Sequence, residues 1–493
     1  MQKFAFPVLK ILLFLLIVYS PFFLHLGNMP VRVWDEARLI ANTLEMAGNG
    51  NYLVPHFQDN PDMWNTKPPL MIWFQLLMLK IAGNQELAFR LPSAIAGLLT
   101  ATTLLLLFSN YLKSYWFGIL TVLILVTSNG YIGDHVTRTG DYDALLTLFT
   151  TFFAVSFFLY TETGKQKFLH FFFAGIVLAV FTKSVQGLLF LPALLIYLLI
   201  SGNFLKTLRN KWVYIDFVIA AAVIAGYYLL RESVNPGYLE AVYVNELGGR
   251  YLETTENHRH EFMYYMNLLA DKQFGNWIIF VPIGIFTGLT FPDKKIRNLS
   301  LYTFLLGSVY LLIISSAGTK LAWYDAPLYP LLAILAALPV YRIFGLIAGY
   351  RSEKNRKWLN VLYPALFVVS LYYIPYQNII HKVYKPHEEE REDEFYSISH
   401  VLQRAVQGKS DLNNCFVCYT GYDVHLQYYT DQLMEQGKKV RMTVPGALKP
   451  GDKVIYAQDY IRKKIEEKFQ FVETDSFKNV KFITINGTRD SNN

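Results

Sequence analysis

Charged residues are scarce in this chain of 493 residues, where they make up 17% of the sequence, against about 25% in an average soluble protein. The deficit is concentrated in residues 1–376, which carry long apolar runs, whereas residues 377–493 have the composition of a soluble protein. A single soluble globular domain is therefore excluded. The sequence instead predicts a polytopic α-helical membrane domain over 1–376 and a small soluble domain over 377–493.

Cysteine is almost absent, and the two that occur, Cys415 and Cys418, have the spacing of a redox pair or of half a zinc site. No second cysteine pair exists to complete a zinc ligand set. Both lie in the run CFVCYTG, which is typical of a buried strand, and we interpret them as structural. With the runs DKVIYAQ and VKFITI as further strands, and an amphipathic helix from Phe395 to Ala405, the C-terminal part is predicted to be an α/β domain.

Basic residues are unevenly distributed, and this pattern sets the topology. The net charge of +7 comes mainly from short clusters between apolar runs, which argues against a nucleic-acid-binding surface. If the N-terminus is cytoplasmic, thirteen Lys and Arg residues fall in short inner loops and only three, Arg138, Lys183 and Lys320, in short outer loops. Because cytoplasmic loops are enriched in Lys and Arg, we predict a cytoplasmic N-terminus and an external C-terminal domain.

About 20 apolar residues in a helix are needed to cross the hydrocarbon core. Between the predicted spans, the external segments are 28–87, 132–142 and 232–275. Within the first of these segments, residues 70–82 are predicted to form an interfacial helix. Eleven spans satisfy both the apolar pattern and the charge asymmetry: 8–27, 88–110, 115–132, 143–161, 168–182, 185–201, 213–231, 276–291, 299–316, 323–347 and 358–376.

Two acidic motifs lie on the predicted external face. The first, Trp-Asp-Glu-Ala-Arg, places Asp35 and Glu36 directly after the first span, and a surface ion pair with Arg38 would be a sufficient structural explanation. The second contains Asp141 and Asp143, and Asp143 begins a span, where the helix dipole favours an anion. Because charges at membrane depth are costly and usually functional, we treat all four acids as candidate catalytic residues.

Three lysines, Lys67, Lys183 and Lys320, lie on the same face, where lysine is least expected. Each could be an interfacial lysine whose stem is buried while its ammonium reaches water. The third external loop adds His258 and His260, which are candidate ligands of a divalent metal. No other cofactor is predicted.

This combination of acids and cations suits transfer of a sugar from a lipid phosphate. A departing phosphate is stable as an anion, so the enzyme needs cations to neutralise it and a carboxylate to deprotonate the acceptor hydroxyl. Hydrolysis of an ordinary glycoside would instead require a general acid beside a second carboxylate.

The strings WDEAR, NTKPPL, FRLPSA, RTGDYDALLTLF, FTKSVQGLL and GTKLAWYDAPLYPLLAIL occur in this order between residues 8 and about 350. Together they resemble the bacterial branch of the GT-C membrane glycosyltransferases, which includes protein O-mannosyltransferases and the lipid A aminoarabinose transferase. The resemblance implies a GT-C fold, a polyprenyl (undecaprenyl) phosphate-sugar donor, inversion at the sugar carbon and a multi-pass protein of the bacterial inner membrane.

The resemblance also implies roles for single residues. Asp35 maps to the catalytic base, with Glu36 beside it, and Asp143 maps to the acid of the second loop, with Asp141 as the alternative. Lys67 maps to a contact with the carrier phosphate, assisted by Arg250 or Arg259 of the third loop, so that Lys183 and Lys320 become further candidates for that phosphate. Where the lipid A enzyme has a Glu before this lysine, the present sequence has Thr66, which leaves the acceptor and any metal bound by that Glu open.

The acceptor therefore stays a choice between lipid A, a protein and a glycan. Two other functions are alternatives: a non-enzymatic flippase or transporter of lipid-linked sugar, and a polysaccharide ligase that uses a pyrophosphate-linked donor. A transporter would show internal repeats with Gly- or Pro-broken helices, and the sequence lacks a clear example.

Overall fold

The structure is a computed structural model that describes residues 2–252, 258–349, 358–388 and 393–489. Its membrane part is mainly helical. The α-helices of this part are α1 (Gln2–Phe23), α2 (Asp35–Asn49), α3 (Leu70–Ala82), α4 (Glu86–Leu106), α5 (Tyr115–Val126), α6 (Asp143–Thr163), α7 (Gln166–Lys183), α8 (Leu191–Ile200), α9 (Phe204–Leu208), α10 (Lys211–Val234), α11 (Tyr238–Val242), α12 (Tyr264–Leu268), α13 (Phe280–Leu289), α14 (Lys294–Ser316), α15 (Leu328–Gly349) and α16 (Leu359–Tyr384).

Seven helical stretches among the described residues are long and apolar enough to cross a membrane, and they include α4, α6, α7, α10, α14, α15 and α16. The chain is therefore a multi-pass membrane protein, as predicted. The other four predicted spans coincide with shorter apolar helices, so the count of eleven stays a prediction. Those shorter helices are Pro7–Phe23, Tyr115–Val126, Leu191–Ile200 and Gly275–Leu289.

Burial separates central helices from peripheral ones. In the most apolar window of α6, 72% of the residues are buried, against 11% in α10 and 6% in α16. A helix that is apolar on all sides but buried by no protein must face lipid, so α10 and α16 lie at the periphery while α6 lies in the core.

The hairpin of α6 and α7 positions two charged residues. Gly164 ends α6 in the left-handed conformation, with φ 67°, and α7 begins two residues later and packs back against α6. Such an antiparallel pair brings the first residue of one helix beside the last residue of the other. Asp143 and Lys183 therefore lie at the same end of the hairpin.

The first external loop contains α2, a short hairpin of strands β1 (His56–Phe57) and β2 (Asn60–Pro61), and α3. Helix α3 packs against both α2 and α4. It is the 13-residue apolar helix that the sequence predicts as interfacial.

The C-terminal part is an α/β domain, as predicted, built on one five-stranded sheet in the order β4-β3-β5-β7-β6. Strands β4, β3 and β5 are parallel, and β7 and β6 pair antiparallel. The elements are α17 (Asp393–Val406), β3 (Cys415–Cys418), α18 (Val424–Glu435), β4 (Val440–Thr443), β5 (Lys453–Tyr456), α19 (Asp459–Lys468), β6 (Phe469–Phe477) and β7 (Val480–Thr488).

The two cysteines are buried, are not joined by a disulfide and belong to different apolar clusters on the two faces of this sheet. Cys415 belongs to a cluster that also includes Val31, Ala37 and Ile40 of the first external loop. The α/β domain and this loop of the membrane part therefore share one apolar core. The domain boundary at 376 stays a prediction, since α16 continues to Tyr384.

Candidate functional site

A pocket lies at the end of the α6–α7 hairpin that carries Asp143 and Lys183. It brings together five of the site residues predicted from the sequence, namely Asp35, Asp141, Asp143, Lys67 and Lys183. Its remaining lining residues are Arg38, Leu39, Trp64, Asn65, Tyr142 and Trp323.

Asp35 is the accessible acid of this pocket. It is the first residue of α2, and its side chain is 50% exposed, against 3% for Asp141. The preceding residue, Trp34, has φ 66°, a left-handed conformation that is strained for a bulky side chain. A strained backbone of this kind often occurs where a functional group must be directed to one place.

His135 lies between the two carboxylates. Its Nδ1 is 3.7 Å from Oδ2 of Asp35 and 3.3 Å from Oδ2 of Asp141. Burial lowers the pKa of His135, but the charges of Asp141 and Asp35 outweigh burial and raise this pKa to about 9. Burial raises the pKa of Asp141, and this effect outweighs the charge of His135, which lowers the pKa. The imidazole is therefore protonated at neutral pH, and its single positive charge offsets part of the negative charge of the two carboxylates.

The same three side chains have the spacing of a metal site. One ligand atom from each of Asp35, His135 and Asp141 lies within 4.8 Å of the others, and carboxylate and imidazole are suitable ligands for a divalent cation. A bound metal would require the imidazole to lose its proton, so metal and proton compete for His135. Within the described residues, this cluster does not include His258 or His260.

Lys67 is held by the third external loop. Its Nζ lies 3.0 Å from Oε1 of Glu246, and both side chains are buried. Thr66 donates a hydrogen bond of 3.2 Å to the same carboxylate oxygen, and Tyr238 donates one of 2.7 Å to the Thr66 carbonyl. Position 66, directly before this lysine, is Thr and offers no carboxylate. Glu246 supplies a carboxylate beside Lys67 instead.

Asp143 and Lys183 form a buried ion pair at the end of the α6–α7 hairpin. Lys183 Nζ lies 2.7 and 2.8 Å from the two Asp143 oxygens, and each side chain is 3% exposed. Pairing offsets much of the cost of burying each charge next to the membrane. The pair leaves this wall of the pocket nearly neutral.

Glu36 points away from the pocket and is completely buried. Arg90 donates to its two oxygens at 2.7 and 2.8 Å, and the backbone amides of Arg32 and Gly140 donate to it at 2.8 and 2.7 Å. A Cβ atom at Gly140 would lie 2.7 Å from the Phe89 carbonyl oxygen, so this close approach requires glycine. Burial raises the pKa of Glu36, but the Arg90 charge and these hydrogen bonds outweigh it and lower the pKa.

Arg38 pairs with Asp62 rather than with Asp35 or Glu36, through two hydrogen bonds of 2.8 Å. Asp62 also accepts from the backbone amides of Trp64 and Asn65, each at 2.9 Å. This network fixes the backbone that leads directly into Lys67.

The remaining candidates lie outside the residues that line this pocket. Lys320 donates to the carbonyls of Ala317 and His260 at 2.7 and 3.0 Å, and its backbone amide donates to the His258 carbonyl. Burial and the nearby Arg259 lower the pKa of Lys320. The side chain of Arg250 lies outside the described residues.

A larger cavity of about 1930 Å³ lies next to the pocket and shares Trp323 with it. The Trp323 ring stacks on His135 with centroids 3.6 Å apart, so that these two rings form part of the wall between the two spaces. Arg32, Asp134 and Glu388 also line the larger cavity.

Sequence reasoning missed His135, Trp323, Glu246 and Arg90. Trp323 lies inside the string GTKLAWYDAPLYPLLAIL, and His135 lies six residues before Asp141. The sequence therefore carries a local signal for both residues. The partners Glu246 and Arg90 are 180 and 54 residues from Thr66 and Glu36, and the local pattern carries no signal for such contacts.

Comparison with known proteins finds relatives in sequence and in fold. A family model described as dolichyl-phosphate-mannose-protein mannosyltransferase matches residues 66–228. The chain is 28% identical to an uncharacterized protein of Aquifex aeolicus over 66% of its length and 63% of that protein. It is 25% identical to the undecaprenyl phosphate-alpha-4-amino-4-deoxy-L-arabinose arabinosyl transferase of Aeromonas salmonicida over 75% of its length and 65% of that protein. The chain thus spans somewhat under two thirds of these curated relatives.

Among solved structures, ArnT from Cupriavidus metallidurans bound to undecaprenyl phosphate matches with a TM-score of 0.68 at 14% identity, covering 97% of this chain and 98% of that chain. The oligosaccharyltransferase of Archaeoglobus fulgidus matches with a TM-score of 0.54 at 12% identity, over 99% and 74% of the two chains. At these identities the likeness shows the fold.

A polytopic helical core, acids and lysines gathered at one end of its helices and an appended α/β domain define a membrane protein of the GT-C type. The sequence relatives, the family model and the structural neighbours agree on one group. In sequence and in fold the chain is similar to the GT-C membrane glycosyltransferases.

Proposed function

We propose that the chain is an inverting glycosyltransferase that moves a sugar from a polyprenyl-phosphate carrier to an acceptor on the external face of the membrane. The observation that carries this proposal is the convergence of Asp35, Lys67 and the Asp143–Lys183 pair in one pocket. The names of the curated relatives support undecaprenyl phosphate as the carrier. The proposed location is a bacterial inner membrane, with the N-terminus cytoplasmic and the α/β domain periplasmic.

Asp35 is the proposed general base. Its side chain is half exposed, whereas Glu36 and Asp143 are saturated by Arg90 and Lys183. Asp35 takes the proton from an acceptor hydroxyl as that oxygen forms a bond to the anomeric carbon. The bond from this carbon to the phosphate oxygen breaks on the opposite side, and its electron pair leaves with the carrier phosphate. Attack opposite to the leaving group inverts the configuration of the carbon.

Lys67 is the proposed partner of the departing phosphate. Its ammonium is already paired with one carboxylate, that of Glu246, in a buried position where an ion pair is strong. The carrier phosphate takes the place of this carboxylate. Arg250 or Arg259 of the third loop would add a second cation.

A divalent metal is an optional component of this site. Asp35, His135 and Asp141 would hold it, and its charge would lower the pKa of an acceptor hydroxyl bound nearby. His258 and His260 lie beside Lys320 instead, where the His260 ring stacks on Tyr264.

The acceptor is a hydroxyl or phosphate of lipid A, a protein or a glycan, and mass spectrometry would distinguish these. Lipid A, glycoproteins and prenyl-phosphate sugars would be compared in strains with and without the gene. Loss of one glycan together with accumulation of carrier-linked sugar is the expected result and names both substrates. Unchanged glycans and carrier lipids in the strain without the gene would reject the proposal.

Re-expression of an Asp35→Asn variant in that strain separates transfer from flipping. A flippase or transporter needs no base, so this variant would restore the glycan. A glycosyltransferase carrying the same change would leave the carrier-linked sugar accumulated. A ligase would accumulate a pyrophosphate-linked precursor, which differs in mass by one phosphate.

A further inference from the structure

We propose that the C-terminal α/β domain positions the catalytic base, because it holds the segment Val31–Trp34 from which Asp35 emerges. This inference rests on the proposed function. It makes Tyr429 and Tyr396 positioning residues. They affect the reaction only by fixing the position of Asp35.

Two tyrosine hydroxyls of the domain accept hydrogen bonds from the backbone of this segment. The amide of Val31 donates to the hydroxyl of Tyr429 in α18 at 2.9 Å, and the amide of Val33 donates to the hydroxyl of Tyr396 in α17 at 3.3 Å. Both tyrosines are buried. Because the segment forms no regular secondary structure, its amides depend on such side chains for hydrogen bonds.

The side chains of the other two residues, Arg32 and Trp34, are held by the same domain and by the segment that leads into it. Arg32 pairs with Glu388 at 2.6 Å, and its guanidinium lies 4.3 Å from the centre of the Tyr396 ring. The Trp34 ring lies 5.7 Å from that of Phe395. Four consecutive residues before Asp35 are thus in contact with residues of the C-terminal part.

The strained backbone at Trp34 makes these contacts necessary. A left-handed conformation at a non-glycine residue is unfavourable and persists only when its surroundings fix it. The Trp34 side chain is 56% exposed, so its own burial contributes little to this. The hydrogen bonds and the ion pair on the three preceding residues therefore add to the hydrogen bonds from α2, in which the amides of Arg38 and Ala37 donate to the carbonyls of Trp34 and Arg32.

A second connection reaches Asp35 through α4. Tyr429 and Gln403 both donate to Oε1 of Glu86, at 2.7 and 2.9 Å, and Glu86 is the first residue of α4. One turn further along this helix, Arg90 holds Glu36, the residue after Asp35. The domain thus contacts the chain on both sides of the base.

Helix α18 offers a matched pair of tyrosines for a test. Tyr429→Phe removes the hydroxyl that joins Val31 to Glu86. Tyr428→Phe removes a neighbouring buried hydroxyl that, among the described residues, makes no hydrogen bond to either of them. Since a displacement of about 1 Å can cost about 100-fold in rate, we expect a loss of at least about 10-fold for the first variant and no loss for the second.

The full-length protein would be studied in three measurements. Hydrogen exchange over residues 31–38 reports on the segment, and titration with undecaprenyl phosphate counts correctly folded sites. Transfer is measured in membranes of the strain without the gene, which supply donor and acceptor, and is expressed per carrier-binding site. We expect Tyr429→Phe to increase exchange and reduce turnover per site while the number and affinity of carrier-binding sites stay unchanged.

Two outcomes would overturn this inference. Turnover per site that stays normal despite faster exchange would show that the contact does not position Asp35. A loss of carrier-binding sites in proportion to activity would show a purely structural role. If Tyr429→Phe does not fold, Tyr396→Phe takes its place under the same criteria. A wild-type protein that neither binds the carrier nor transfers sugar would reject the proposed function itself, and exchange over 31–38 would still reveal whether the domain holds the segment.

Discussion

Asp35 and Glu36 are neighbours in the sequence but have opposite surroundings. Adjacent residues of a helix are rotated by about 100° around its axis, so one faces the pocket while the other faces the protein interior. The sequence identifies both as candidate catalytic acids. It carries no signal for the separation of their roles, because that depends on Arg90, which reaches Glu36 from another helix.

The first prediction concerns the base. Asp35→Asn keeps the size of the side chain but cannot take a proton, so transfer is expected to fall by at least about 100-fold. Binding of undecaprenyl phosphate should remain, since Lys67 is unchanged. Transfer assays and carrier titration on the purified variant test this, and activity near the wild-type level would remove Asp35 from the mechanism.

The second prediction concerns its neighbour. Glu36→Gln leaves Arg90 without its anionic partner inside the protein, and the loss of such a pair costs about 3–5 kcal/mol. Thermal unfolding in detergent should therefore occur at a clearly lower temperature. Glu240→Gln, at an exposed position of the third loop, is the control and should unfold like the wild type.

The same pair predicts a pH dependence of stability. Because the folded-state pKa of Glu36 lies below the ordinary value of 4.5, its contribution is complete above that value and is lost as the pH falls through the lower, folded-state pKa. The unfolding temperature of the wild type should fall in this acidic range more steeply than that of Glu36→Gln. Parallel curves for the two proteins would contradict the assigned role.

At the scale of elements, helices and strands with strong periodicity were predictable. The α6–α7 hairpin follows from two apolar runs joined by a short polar turn, and it alone explains why Asp143 and Lys183 meet. Strands β3, β5 and β7 and helix α17 of the α/β domain were predictable from their apolar patterns, whereas α18, β4 and β6 were not predicted. The docking of the third loop on Lys67 was not predictable, because Glu246 and Lys67 are 179 residues apart in sequence.

That docking leads to a third prediction. Lys67→Ala should weaken carrier binding by about 10-fold or more, since an ion pair with the phosphate is lost, whereas Lys80→Ala, on an exposed turn of α3, should not. Glu246→Gln should act in the opposite direction and strengthen binding, because the phosphate no longer competes with a carboxylate. Titration with undecaprenyl phosphate measures all three, and equal affinities would reject a phosphate role for Lys67.

At the scale of the whole molecule, the orientation in the membrane follows from basic loops rather than from any contact in the structure. The two native cysteines are buried, so a cysteine introduced on the surface can report on sidedness with little background. We expect a membrane-impermeant thiol reagent to label Lys449→Cys from the external side, and Lys165→Cys only after the membrane is opened. Labelling in the reverse order would overturn the predicted topology and, with it, an external active site.

The stacked rings of His135 and Trp323 have a consequence for the hydrolysis of the sugar donor by water. They form part of the wall between a small polar pocket and a larger cavity that can hold solvent. A sugar attached to a good leaving group is consumed wastefully whenever water reaches it before the intended alcohol does. Under the proposed function, the contact between these two rings would limit how much activated sugar water consumes for each glycan that is completed.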